Sequence, residues 1–296
     1  MSNPLKNKLQ RGEKVIGTMF QLGGSIAVEC LGVCGLDFFI IDTEHAPFNV
    51  ESQRAFMMAA ELHRILPLIR IKRISRDVVL SSLDMGAAGL IAPGVRSVEE
   101  VRQLVEYGKY PPRGSRGFCY TRTSDYGYGD IAADPEQYFL HSNDANLIIP
   151  QCETRECLEV IEEICAIPEV DGIFIGPYDL SVALGAPAQF DTPEFKMAIE
   201  RIVYACQQNG KFVLIFCGDE DRASQYLCSG FDGVVFSSDI NMLVNSYRSS
   251  LDRIRASVVP CVSCRTPALH SPDPVPVQPD ENTPEDLFSE YMAQFK

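Results

Sequence analysis

Asp37-Phe38-Phe39-Ile40-Ile41-Asp42-Thr43-Glu44-His45-Ala46-Pro47 is an apolar run that ends abruptly in carboxylates and a histidine. Four consecutive large apolar residues, flanked by Gly35 and Pro47, read as a strand buried on both faces, the pattern of a parallel sheet. Parallel α/β folds keep their chemistry at the C-terminal ends of such strands, so Asp42, Glu44 and His45 become candidate site residues.

The same beat runs through the chain: apolar β-branched or aromatic runs alternate with amphipathic stretches closed by glycine or proline. Strands are expected at 15–19, 38–42, 67–70, 89–93, 146–151, 172–176, 212–216 and 233–237. Helices are expected at 25–33, 50–64, 77–85, 98–109, 155–164, 193–209, 222–229 and 240–257. Gly35, Gly86, Gly210 and Gly230 sit where left-handed helix caps favour glycine, and Thr192-Pro193 is a helix start. Eight strands and eight helices specify an α/β fold, a (β/α)8 TIM barrel over residues 1–259.

Two segments break the beat. Residues 110–144 are rich in glycine, proline and tyrosine and too long for a plain connection, so they are expected to form an excursion over the barrel mouth. Residues 260–296 form a proline-rich, acidic C-terminal extension. Its end, from Thr283-Pro284-Glu285-Asp286 through Leu287, Phe288, Tyr291, Met292 and Phe295, reads as a short capped helix with an apolar stripe, expected to dock on this chain or a neighbour.

Composition narrows the function. At 296 residues and 46% hydrophobic, the chain can bury a large core. A net charge of -14 without any basic cluster interleaved with aromatics argues against nucleic acid as a partner. No apolar run is long enough to span a bilayer and the first residues lack an apolar signal core, so no membrane partner and a cytoplasmic location are expected. The cysteines Cys30, Cys34, Cys152, Cys165, Cys206, Cys217 and Cys228 read as small core hydrophobes, and Cys261 with Cys264 is an isolated pair that does not make a metal site.

At the strand ends a set of polar residues should converge: Asp42, Glu44 and His45, then Arg70, then Gln151 and Glu153, then Asp179. Glu153 and Asp179 are 26 residues apart, one βα unit, so adjacent strands would present both carboxylates to one hard divalent cation. Either could instead be a helix N-cap, since Glu153 precedes the helix starting at Arg155 and Asp179 lies in Gly176-Pro177-Tyr178-Asp179-Leu180-Ser181. Arg70 at a buried strand end needs an anion, for which a ligand carboxylate or enolate oxygen would serve. His45 suits a general base, with Asp84 as one candidate carboxylate partner; Asp84 could equally be a solvated helix acid. Lys72 reads as solvated.

Asp42-Thr43-Glu44-His45-Ala46-Pro47, Tyr110-Pro111-Pro112-Arg113-Gly114-Ser115-Arg116-Gly117, Gln151-Cys152-Glu153-Thr154-Arg155 and Phe174-Ile175-Gly176-Pro177-Tyr178-Asp179-Leu180-Ser181 together resemble the HpcH/HpaI aldolase family. These are class II pyruvate-dependent aldolases, among them 4-hydroxy-2-oxoheptanedioate and 2-dehydro-3-deoxyglucarate aldolases, with macrophomate synthase a more distant relative. The resemblance implies a homo-oligomer, trimer or hexamer, and a divalent metal on Glu153 and Asp179: Mg2+ first, with Mn2+ or Co2+ as alternatives. It further implies His45 as proton acceptor, Arg70 as transition-state stabiliser and Asp84 as the group raising histidine basicity. Arg70, Gln151, Gly176, Pro177, Tyr178 and Asp179 become the substrate contacts. Asp42 and Glu44 then read as supports for His45 rather than as metal ligands.

The implied activity is a metal-dependent carbon-carbon lyase that cleaves or forms 4-hydroxy-2-oxo acids through a pyruvate enolate. Its small molecules would be a 2-oxo acid (pyruvate, oxaloacetate or a 4-hydroxy-2-oxo acid) and an aldehyde. An oxaloacetate decarboxylase or macrophomate-synthase-like enzyme using the same enolate is the alternative within catalysis; a non-catalytic 2-oxo-acid-binding or interaction protein is the alternative outside it. Tyr178 stands where these aldolases usually have a small residue, and Ser237 where they commonly keep glycine.

Overall fold

A computed structural model describes residues 3–258, so the proline-rich extension, its expected helix and the Cys261–Cys264 pair lie outside the described residues. Eight parallel strands close into a barrel in sequence order: β1 (Val15–Phe20), β2 (Phe38–Asp42), β3 (Leu66–Arg70), β4 (Gly89–Ala92), β5 (Leu147–Cys152), β6 (Gly172–Ile175), β7 (Phe212–Cys217) and β8 (Gly233–Ser238). Helices follow the strands, and the fold is a (β/α)8 TIM barrel. The first compact unit runs to Ser246; the second starts at Tyr247 and is described as far as Val258, with the helix Asp239–Ser257 running across the division.

The strand alternation makes two cores. Phe39, Ile41, Ile69, Leu90, Ile148, Ile173, Ile175, Val213, Ile215 and Val234 face outward and pack under the helices. Val15, Met19, Phe38, Ile40, Leu68, Ile91, Leu147, Ile149, Phe174, Leu214 and Val235 fill the barrel interior, joined by Leu5 from the helix Pro4–Gln10. Gly17 shares this interior layer because a Cβ there would lie 2.3 Å from the Phe38 ring. At the strand N-termini, Asp37, Asp171 and Asp232 each accept a backbone N–H from the preceding strand or its neighbour, from Ile16, Ile148 and Val213 at 2.8–2.9 Å.

The four expected cap glycines take left-handed φ values of 82°, 109°, 62° and 95°. Thr192 caps the helix Pro193–Gln208 by accepting from Phe195 N. Ser237 has φ 56°, which explains why glycine suits that position: the backbone is left-handed there, a conformation that costs an L-residue about 1–2 kcal/mol.

The excursion over the barrel mouth is corrected. Residues 110–144 join the helix Val98–Gly108 to the start of β5, so they lie at the N-terminal end of the barrel, opposite the strand ends that carry the candidate site. Much of the segment is ordered, with the helix Pro135–Ala145 capped by Asp134 and Tyr110 stacked on Phe139 at 4.4 Å. Buried Lys109 donates to the carbonyls of Asn143 and Asn146 at 2.6 Å each. Of the cysteines read as core, Cys30, Cys34 and Cys228 are exposed, while Cys152, Cys165, Cys206 and Cys217 are buried. Among the described residues no helix is long and apolar enough to cross a membrane.

Candidate active site

Because side chains alternate along a strand, each interior position repeats two residues later, one layer nearer the C-terminal mouth. Above Ile40 comes Asp42, above Leu68 comes Arg70, above Ile149 comes Gln151, and above Leu214 comes Phe216. The apolar interior therefore gives way to a polar upper layer by register alone.

Asp42 organises that layer. It is fully buried, and Arg70 grips it with two donors, Nε to Oδ1 at 3.0 Å and Nη2 to Oδ2 at 2.7 Å. Gln21 Nε2 donates to Oδ2 at 2.7 Å, and the backbone N–H groups of Glu44 and His45 donate to Oδ1 at 3.1 and 3.2 Å. Burial alone would raise the Asp42 pKa, but the hydrogen bonds and charge of Arg70 outweigh it and hold the carboxyl below its ordinary value. Asp239 fixes the segment carrying Gln21 by accepting from Gln21 N and Leu22 N at 2.9 Å.

Glu44 lies 3.3 Å from Arg70 Nε and 3.7 Å from His45 Nε2. Its pKa is raised, first by burial and further by Asp42 and Asp179, against the opposing pull of Arg70 and His45. The His45 side chain is 62% exposed and stands at the rim of the cavity.

Glu153 is buried, with Oε1 accepting from Gly94 N at 2.7 Å and Oε2 accepting from Gln151 Nε2. Burial, with Asp179 and Glu44 adding repulsion, pushes its pKa up to about 7. Gly176 makes room for it: a Cβ there would lie 2.6 Å from Glu153 Oε2 and 2.7 Å from Gln151 Nε2. Neither acid is a helix cap. Thr154 caps the helix Arg155–Glu159 through Cys157 N, and Asp179 sits inside the first turn of the helix Pro177–Ala183, whose N-cap is Gly176.

A cavity of about 230 Å³ opens among these residues, bounded by Gln21, His45, Arg70, Gln151, Asp179 and Phe216, with Met19, Phe174, Gly176, Pro177, Tyr178, Ser238 and Asn241 completing it. Gln151 Oε1 is buried and has no hydrogen-bond partner among the described residues. A larger cavity of about 600 Å³ lies in the outer helical layer between Pro193–Gln208 and Glu220–Cys228, away from the strand-end acids. Among the described residues no group of three or more His, Cys, Asp or Glu side chains is arranged to hold a metal by itself. Glu153 and Asp179 fit a cation that takes one or two carboxylates and leaves other positions to water and substrate, which is how Mg2+ binds. Asp179 and Glu44 lie close enough to Glu153 for their charges to add to burial in raising its pKa, a setting that suits a cation.

Asp84 does not join the site within this chain. It ends the helix Arg76–Asp84, below β4, and pairs with Arg116 at 2.7 Å, so the carboxylate beside His45 is Glu44 instead. Lys72 is exposed, as expected. Gln21, Gly94, Phe216, Ser238, Asn241 and Asp239 were not expected. For Gln21 and Phe216 the available signal was the two-residue alternation continued past Met19 and Leu214.

An eight-stranded parallel barrel whose mouth gathers a guanidinium and several acids defines the class: a (β/α)8 barrel with an acid-rich site at the strand C-termini. The chain belongs to the HpcH/HpaI aldolase/citrate lyase family, whose sequence model matches residues 19–246. It is 32% identical over 247 residues to a hydroxypyruvate/pyruvate aldolase of Roseobacter denitrificans, covering 83% of this chain and 95% of that one. It is 31% identical over 253 residues to the 2-keto-3-deoxy-L-rhamnonate aldolase of Escherichia coli K12, covering 86% and 92%. Among solved structures it is similar to macrophomate synthase, with a TM-score of 0.77, 28% identity, and coverage of 86% of this chain and 88% of that one.

Proposed function

We propose that this protein is a divalent-metal-dependent aldolase that forms and cleaves 4-hydroxy-2-oxo acids through a pyruvate enolate. The observation that carries this reading is the gathering of Arg70, Gln151 and Asp179 at one cavity, with buried Glu153 hydrogen-bonded to Gln151 behind them and more carboxylate charge than the described side chains balance. Glu153 and Asp179 would hold the cation, Mg2+ first and Mn2+ or Co2+ in its place. When bound, that ion supplies Lewis-acid polarisation of the 2-oxo group.

The chain's own residues then divide the work. Arg70 stabilises negative charge on the enolate oxygen as the bond at C3 breaks, and its two bonds to Asp42 fix its orientation before substrate arrives. Gln151 and the Gly176–Asp179 turn contact the 2-oxo acid, and the missing Cβ of Gly176 leaves room for the Glu153 and Gln151 side chains beneath. In the cleavage direction His45 accepts the C4 hydroxyl proton, and in synthesis it returns it. Asp42 holds the His45 backbone, and Glu44 lies beside the imidazole.

Exchange of the pyruvate methyl protons in D2O, followed by NMR without any aldehyde, tests the enolate directly. Exchange should require Mg2+, Mn2+ or Co2+ and stop with EDTA; exchange that is absent under all metals would remove the reading. His45→Ala should slow retro-aldol cleavage by about 10²–10⁴-fold, the usual span for a general base. Oxaloacetate decarboxylation, which moves no hydroxyl proton, should fall much less. Equal losses in both reactions would count against the base role.

A further inference from the structure

We infer that the Tyr178 ring screens the pyruvate enolate from solvent, and that Phe190, which does not line the catalytic cavity, is the positioning residue that holds the ring there. This rests on the aldolase reading above and adds what decides the fate of the enolate.

That fate is a competition. The enolate C3 can attack an aldehyde, or a solvent proton can bond to C3 while the electron pair on oxygen returns to form the C2 carbonyl, which gives back pyruvate. Water is always present at the mouth, so carbon addition gains wherever solvent is kept from C3.

Tyr178 is placed to do this. It precedes Asp179 in the first turn of the helix Pro177–Ala183, on the rim of the cavity that Arg70, Gln151 and Asp179 share. Of the large apolar residues lining the cavity, Met19 and Phe174 are buried and Phe216 is half-buried, whereas Tyr178 is 51% exposed. Its ring therefore stands between the cavity and bulk water.

A half-exposed side chain would ordinarily exchange among rotamers. This one is braced. Phe190 meets the ring edge-on at 5.1 Å, and Phe216 does so at 6.0 Å. Phe190 packs in turn on Phe195 at 5.4 Å and lies beneath the Arg222 guanidinium at 5.2 Å, with Asp191 and Asp219 within 3.8 Å of Arg222. The turn that delivers Phe190 is tied down as well. The buried Ser181 hydroxyl accepts from Ala188 N at 2.8 Å and donates to Tyr178 O at 2.6 Å, and Ala188 takes a φ of 57°, uncommon for a residue with a Cβ. Among the described residues the Tyr178 hydroxyl makes no hydrogen bond, so the contacts that fix this side chain are made by its ring.

The test is exchange of the pyruvate methyl protons in D2O by the full chain with Mg2+, at saturating pyruvate so that kcat is read apart from KM. Tyr178→Ala should raise kcat for exchange by about fivefold or more, because deuterons then reach C3 freely. Phe190→Ala should shift it in the same direction, and the double variant should gain no more than Tyr178→Ala alone, since Phe190 acts through that ring. Tyr178→Phe keeps the ring and should show less than about a third of the alanine gain. Partial unfolding would lower exchange, so a rise is not a folding defect; where Phe190→Ala does not fold, Phe190→Leu gives the same reading. An unchanged or lower kcat in Tyr178→Ala, with or without a change in KM, would overturn the screen and leave the aldolase reading standing. Gains that add in the double variant would overturn the role of Phe190, and an equal gain in Tyr178→Phe would overturn the assignment to the ring. Absence of exchange in the unaltered protein under Mg2+, Mn2+ and Co2+ would mean that the aldolase reading has failed, and this inference with it.

Discussion

Arg70→Ala is expected to lower both methyl-proton exchange and aldol cleavage by at least 10²–10³-fold, the size of effect seen when a preorganised donor to a developing oxyanion is removed. The loss is to be measured as kcat in metal-saturated assays, because Glu153 and Asp179 remain and metal affinity should change little. The same substitution should also cost about 3–5 kcal/mol of stability in a denaturant titration, since it leaves the fully buried Asp42 carboxylate without its ion-pair partner. These two consequences can be separated. In an Asp42→Asn background the stability cost of Arg70→Ala should shrink by more than half, because no buried charge is abandoned, while the catalytic loss persists. Arg70→Lys keeps the charge but cannot span both Asp42 oxygens, so it should fold and still lose most of the activity. Full activity in either Arg70 variant would remove the clamp assignment.

The barrel was legible because its strands are buried on both faces: runs such as Phe38-Phe39-Ile40-Ile41 leave no alternation to confuse with a half-exposed sheet. Glycines past the helix ends then fixed most boundaries to within a residue or two. The helices Pro4–Gln10, Pro135–Ala145 and Pro177–Ala183 were missed, although Asn3-Pro4 and Asp134-Pro135 are both capping residues followed by proline at the first helical position. Missing the second of these made residues 110–144 look like one long loop, and chain order, helix before strand, was the information that placed it at the opposite end. In the candidate site, the charged strand-end residues were readable because a charge after an apolar run is conspicuous. Phe216 looks like any other core residue in its run, and Gly94 acts through a backbone N–H that sequence does not distinguish. Asp84 entered as the group beside His45 through the resemblance; within this chain its helix end pairs instead with Arg116, which comes from the excursion.

Glu153→Gln is expected to abolish divalent-cation binding, read by calorimetry or by the Mn2+ spin signal, and with it at least 10³-fold of the activity. Its effect on the metal-free protein should run the other way. Burial and the neighbouring acids raise the folded-state pKa of Glu153 to about 7, above its ordinary value of 4.5. An acid raised in the folded state favours folding fully only below its unfolded pKa, and that contribution is lost as pH climbs through the folded pKa. The metal-free protein should therefore lose stability from this group between about pH 4.5 and 7. The amide introduced by Glu153→Gln keeps an acceptor for Gly94 N but has no proton to lose. Without metal, the variant's melting temperature should gain on that of the unaltered protein as pH rises from 5 to 8. Saturating Mg2+ should reverse the order at pH 8, because only Glu153 captures the binding energy; at a hundredfold excess over Kd that gain is about 2.7 kcal/mol. A variant that binds metal normally, or a melting difference that does not change with pH, would separate Glu153 from the cation and return it to a structural role.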